Sequence, residues 1–157
     1  MNMLVKNGII SVFILLLILS IGSCKKDEGP DQEVVDKELI EAYVEANNLE
    51  TTVTESGLHY IISETGDDNH PNYNSFIIAT YKGYLLDGTV FDPGNQQLEV
   101  FLGQLVPGWI EGLPLIGEGG KIKLIIPSKL GYGGVEKELI PEYSVLVFDI
   151  HLLEVYE

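Results

Sequence analysis

The sequence predicts an α+β domain: an antiparallel β-sheet with one short α-helix packed across it, and another short helix ahead of it. Three observations carry that expectation. From about Thr54 the chain breaks into short β-like runs punctuated by glycine and proline. Within that region the segment "FLGQLVPGWIEGLPLIGEGG", Phe101 to Gly120, is the one good helix candidate, kept short because Gly112 and Pro114 oppose extension. Before it, "EVVDKELIEAYVEANN" sets Val35, Leu39, Ala42, Tyr43 and Ala46 close to a helical period, which predicts a helix over 34–50. So short a helix is marginal alone and is expected to lean on the domain that follows, taken as 54–157.

The β-like runs are "LHYIIS", "SFIIATYKGYLL", "LEVFL", "KIKLIIP" and "SVLVFDIHLLEV". In the fourth, Ile122, Leu124 and Ile126 share one face against Lys121 and Lys123; in the fifth, Leu146, Phe148, Ile150 and Leu152 oppose Asp149 and His151. Between the first two runs, "DDNHPNYN" is read as a hairpin loop.

The front of the chain has another character. A short start with Lys6 precedes "GIISVFILLLILSIG", which falls short of the roughly 20 apolar residues of a membrane-spanning helix and has the form of a secretory signal peptide over 1–23. Cys24, the only cysteine, excludes an intrachain disulfide. "IGSC" at the end of an apolar run resembles a bacterial lipobox, which implies acylation of Cys24, a lipid anchor in the membrane and a lipidated tether over 24–33. Lys26-Asp27-Glu28 resembles a surface-export signal of some Gram-negative lineages and reads equally as a solvated linker. These features imply a cell envelope lipoprotein of a Gram-negative bacterium, in the outer membrane, facing the periplasm or the surface.

The formal charge is −15, with 24 acidic residues against 9 lysines and no arginine. That excludes nucleic acid, which needs clustered basic side chains, and an acidic lipid surface as docking partner. His59, His70 and His151 lack metal-ligand spacing, the 67–74 segment lacks the glutamate of a calcium loop, and no nucleophile or phosphate-cradling motif is present. No metal and no cofactor are expected.

What stands out is aromatic. Tyr81, Phe91, Trp109, Tyr132 and Phe148 come from five segments, each beside turn chemistry or near a strand end. By spacing alone they are either core residues or the lining of an apolar pocket with polar tips. The motifs "ATYKGYLLDGTVFDPG", "FLGQLVPGWIEGL", "KIKLIIPSKLGYGG" and "LIPEYSVLVFDIHLLEV" resemble, in order and spacing, an FKBP-type peptidyl-prolyl cis–trans isomerase. The resemblance implies a sheet wrapped round one short helix with the pocket between them, and proline-containing polypeptides as clients. It implies that Trp109 floors the pocket and that Tyr81, Phe91 and Phe148 wall it. Leu105, Val106 and Ile140 complete the lining, Tyr132 offers a hydroxyl to a substrate carbonyl, and Asp92 sets a carboxylate near the twisting amide. The chain departs from the family at the pocket rim: in "PGNQQ" after Asp92, in the short charged "GVEKEL", and in Pro141-Glu142. A catalytically weak module binding proline-containing or extended partners, and a mere scaffold, are the other readings. Oligomeric state is left open.

Overall fold

The computed structural model describes residues 31–157. The expected signal peptide, Cys24 and most of the expected tether lie outside the described residues. The elements are α1 (Gln32–Ala46), β1 (Thr52–Val53), β2 (His59–Glu64), β3 (Phe76–Leu85), β4 (Val90–Asp92), β5 (Leu98–Phe101), α2 (Pro107–Gly112), β6 (Lys121–Ile126) and β7 (Leu146–Tyr156). Every strand pairing is antiparallel, in the order β1-β2-β6-β7-β3-β4, with β5 also on β3. The expected fold class holds, with a sheet that begins at Thr52, slightly ahead of the boundary placed at 54.

Part of each face of the sheet is buried, and the strand period decides which residue goes where. Ile122, Leu124 and Ile126 of β6 join Leu146, Phe148, Ile150 and Leu152 of β7 in the larger core, against Trp109 and Leu113. The alternate residues Ile125 and Val147 join Val145 and Ile40 of α1 on the opposite side. Helix α2 lies close on β6 because it is built around glycine. A Cβ on Gly108 would fall 2.6 Å from Ile126 Cγ2, and one on Gly112 2.6 Å from Leu124 Cδ2. Pro114 falls outside the α-helix, in a 3-10 turn over Leu113–Leu115, and its carbonyl is 3.0 Å from His70 Nδ1.

Helix α1 leans on the domain as expected, with a different face. Ile40 and Asp36 are each 1% exposed, whereas Leu39 is 47% exposed. The physical reason is a polar contact: the Asp36 carboxylate accepts the Ser128 backbone N–H at 2.7 Å and the Gln32 amide at 2.7 Å, turning the Asp36–Ile40 stripe inward. The helix starts at Gln32, capped by the Asp31 carboxylate, and ends at Ala46, ahead of the predicted stop at 50. Asn48 then takes a left-handed conformation, φ 50, which asparagine tolerates.

The 65–75 connection is not a hairpin loop. Strand β2 pairs with β1 and β6, and β3 with β7, β4 and β5, so the chain must cross the ends of β6 and β7 between them. It is fastened there by Asp67 N–H to the Glu118 carbonyl (3.0 Å), Gly117 N–H to the Thr65 carbonyl (2.8 Å) and the Asn69 amide to the Val155 carbonyl (3.1 Å).

Candidate active site

A cleft of about 440 Å³ opens on the α2 side of the sheet. Trp109, the third residue of α2, forms its floor and is 2% exposed. Its indole meets Tyr81 edge-on at 5.3 Å between centroids and Phe148 edge-on at 5.3 Å, and Phe148 meets Phe91 at 5.5 Å. Edge-to-face packing holds the rings at fixed angles and leaves a concave apolar surface between them.

Each wall is positioned by its own element. Tyr81 points inward from β3 and Phe148 from β7, while β4 brings Phe91 and Asp92. Leu105 and Val106 lead into α2 from a 3-10 turn over Leu102–Gln104. Tyr132 follows the 3-10 turn Ser128–Leu130, and Ile140 is held by a backbone bridge to Lys137. All nine residues singled out in the sequence border this one cleft, together with Leu98, Gln104 and Lys137, which were not. Leu98 was readable from the alternation of "LEVF"; Gln104 and Lys137 carry no periodic signal.

Another residue missed in the sequence is Gly83. A Cβ there would stand 2.4 Å from Phe91 Cε2 and 3.0 Å from Phe148 Cε1. The bare backbone of β3 is what lets these two rings settle against the sheet. A glycine in the middle of "TYKGYLL" was the available signal, since a strand glycine marks a close approach.

The polar part of the cleft is a fixed pair. The Tyr81 hydroxyl donates to Asp92 Oδ2, and the Gly94 N–H donates to Asp92 Oδ1 at 3.0 Å. Burial, then the bond to Asp92, pushes the Tyr81 hydroxyl well above its ordinary 10.0, so it keeps its proton and remains a donor. The Asp92 carboxylate is therefore held on both oxygens rather than left loose in the cleft.

Residues 67–153 match the family described as FKBP-type peptidyl-prolyl cis-trans isomerase. The chain belongs to that family. It is 39% identical over 131 residues to FkpA, an FKBP-type peptidyl-prolyl cis-trans isomerase of Escherichia coli K12, covering 82% of this chain and 48% of that protein. The crystal structure of Escherichia coli FkpA superposes with a TM-score of 0.71 at 38% identity, over 80% of this FKBP chain and 60% of that one. A peptidyl-prolyl cis-trans isomerase from Pseudomonas syringae pv. tomato gives 0.69 at 26% identity, over 82% and 98%. This FKBP chain spans about half the length of the curated relatives it matches.

Proposed function

We propose that the cleft is a prolyl isomerase site and that the protein assists folding of secreted or surface proteins in the cell envelope. The convergence of the nine residues on one aromatic cleft floored by Trp109 carries this reading. Rotating an X–Pro bond must overcome about 18–20 kcal/mol, because the twisted amide loses its C–N double-bond character. The planar amide is the more polar form and prefers water, so an apolar cleft shaped to the twisted form favours it selectively. Lowering the barrier by about 5–6 kcal/mol gives roughly four orders of magnitude in rate. No bond is made or broken, so no nucleophile is needed. The proline ring sits on Trp109 between Tyr81, Phe91 and Phe148, Leu105, Val106 and Ile140 enclose it, and the Tyr132 hydroxyl donates to a substrate carbonyl. Asp92 acts with Tyr81, as a bonded pair that sets the field beside the twisting amide.

Exchange between cis and trans forms of short X-Pro peptides, followed by NMR with the full chain, tests this. Acceleration that falls at least tenfold in folded Trp109→Leu and Asp92→Ala variants supports it. Absence of acceleration by folded protein sinks it. Val135 and Leu139 on the rim loop are 56% and 53% exposed, which favours a second reading, a catalytically weak module gripping extended partners. Cleft amide shifts on adding peptide, without faster exchange, would select that one.

The anchor belongs to the same proposal. Acylation of Cys24 by a lipobox-directed pathway would hold the domain on the outer membrane of a Gram-negative bacterium, the tether giving it reach. Labelled fatty acid retained by the wild type and lost in Cys24→Ser is the expected result; equal labelling of both refutes it.

A further inference from the structure

The cleft has one cationic side chain on its border, Lys137. It belongs to the charged rim segment "GVEKEL", where it exchanges backbone hydrogen bonds with Ile140. Lys137 N–H donates to the Ile140 carbonyl at 2.9 Å, and Ile140 N–H to the Lys137 carbonyl at 3.2 Å. Ile140 is a cleft wall and 7% exposed, so this bridge pins Lys137 to the rim. The ammonium lies 5.4 Å from the centroid of the Tyr132 ring. Although Glu136 and Glu138 flank it in sequence, Lys137 takes part in none of the ion pairs among the described residues, which join Lys37 to Glu41, Lys121 to Glu64, Lys123 to Asp149 and Lys129 to Glu33.

The other flank of the cleft is different. Through Tyr81, Asp92 and Leu98 it continues into a hollow of about 380 Å³ bordered by the amides Asn95, Gln96 and Gln97. The Asp92 carboxylate is already held by the Tyr81 hydroxyl and the Gly94 N–H. A peptide lying across the floor thus meets neutral amides on one side of its proline and an unpaired cation on the other.

We propose that Lys137 is a specificity-determining residue that favours peptides carrying an aspartate or glutamate beside the proline. This rests on the isomerase reading above. The pairing is at an exposed rim, so its effect is modest and falls with added salt. It acts locally, against the repulsion that a protein of formal charge −15 exerts on any acidic peptide.

The test compares kcat/KM for two isosteric peptide pairs, Glu against Gln before the proline and Glu against Gln after it. Wild-type full chain is run beside Lys137→Gln and Lys82→Gln. Lys82 does not border the cleft, so the second variant repeats the charge change elsewhere. The expected Glu:Gln ratio is about two- to fivefold at one flank, the range of an exposed ion pair. It should fall to about one or below in Lys137→Gln and persist in Lys82→Gln. A wild-type ratio of one or less at both flanks overturns the inference, as does a preference that survives Lys137→Gln or disappears equally in Lys82→Gln. If no peptide exchanges faster, the isomerase reading fails separately. The same ratio is then read from peptide affinities by amide shifts, where equal affinity or no binding overturns the role of Lys137.

Discussion

Each face of the sheet carries one helix, and the two helices cover it differently. On the α2 face, glycines at 108 and 112 bring the helix down onto β6, and bulky rings at its end stand apart to form the cleft. On the α1 face, Ile40 fills a small cluster with Ile125, Val145 and Val147, and the buried Asp36 carboxylate fastens the helix to Ser128. Beyond the end of α1 that face carries charge, with Lys121 paired to Glu64 at 2.7 Å and Lys123 paired to Asp149. The packed patch under Ile40 supplies stability, and the aromatic face with a gap supplies a binding surface.

The largest expected effect separates these roles. Ile40→Ala should lower stability by about 2–5 kcal/mol, the usual loss for a buried Ile truncated to Ala. Activity per folded molecule should be kept, as measured by denaturant unfolding beside peptide exchange. A parallel loss of activity at a temperature where the variant is folded would show that the α1 face also shapes the cleft. Gly83→Ala should lower stability less, by about 1–3 kcal/mol for overpacking, but displace the Phe91 and Phe148 rings. There the activity loss, several-fold in kcat/KM, should exceed what the stability change explains.

The smallest effects are in pH. Burial holds the His59 imidazole below its ordinary 6.5. His59 pairs in register with Ile125, so it belongs to the α1 face. The neutral ring is favoured in the folded state; its contribution is present above pH 6.5 and is lost as pH falls below that. Burial raises the Tyr84 hydroxyl to about 12, next to α1, and raises Tyr81 in the cleft as well. Those contributions are present below pH 10 and are lost as pH rises above 10, for Tyr84 through about 12. Unfolding midpoints should therefore drop on both sides, with the acid drop reduced in His59→Gln and unchanged in Tyr81→Phe. An acid drop identical in His59→Gln would move that sensitivity elsewhere.

What could be read from the sequence follows strand length and periodicity. Strands β6 and β7 run 6 and 11 residues, enough for alternation to assign faces, and their inward sets were as expected. Strands β1 and β4 have only 2 and 3 residues, too few to show a period, and neither was singled out as a run. The buried stripe of α1 was misjudged because an acidic residue, Asp36, lies at its centre, and hydropathy ranks Leu39 ahead of it. The cleft was readable through the ordered motifs around Tyr81, Trp109, Tyr132 and Phe148 rather than through spacing, which left the same rings as possible core. Gly83 and Lys137 act through what stands opposite them in space, and nothing in their own neighbourhood in the chain announces it.

The strand order has a consequence for how the molecule is made. Strands β1, β2 and β6 form one half of the sheet, β3, β4 and β5 the other, and β7 is the only strand that pairs with both. It is also the last of them along the chain. In a polypeptide emerging N-terminus first, the β7-facing edges of β6 and β3 therefore cannot find their native partner until Leu146–Tyr156 appears. The floor and walls of the cleft divide the same way, with Trp109 packed near β6 and Tyr81 on β3, so the site cannot be complete before β7, carrying Phe148, has paired with both.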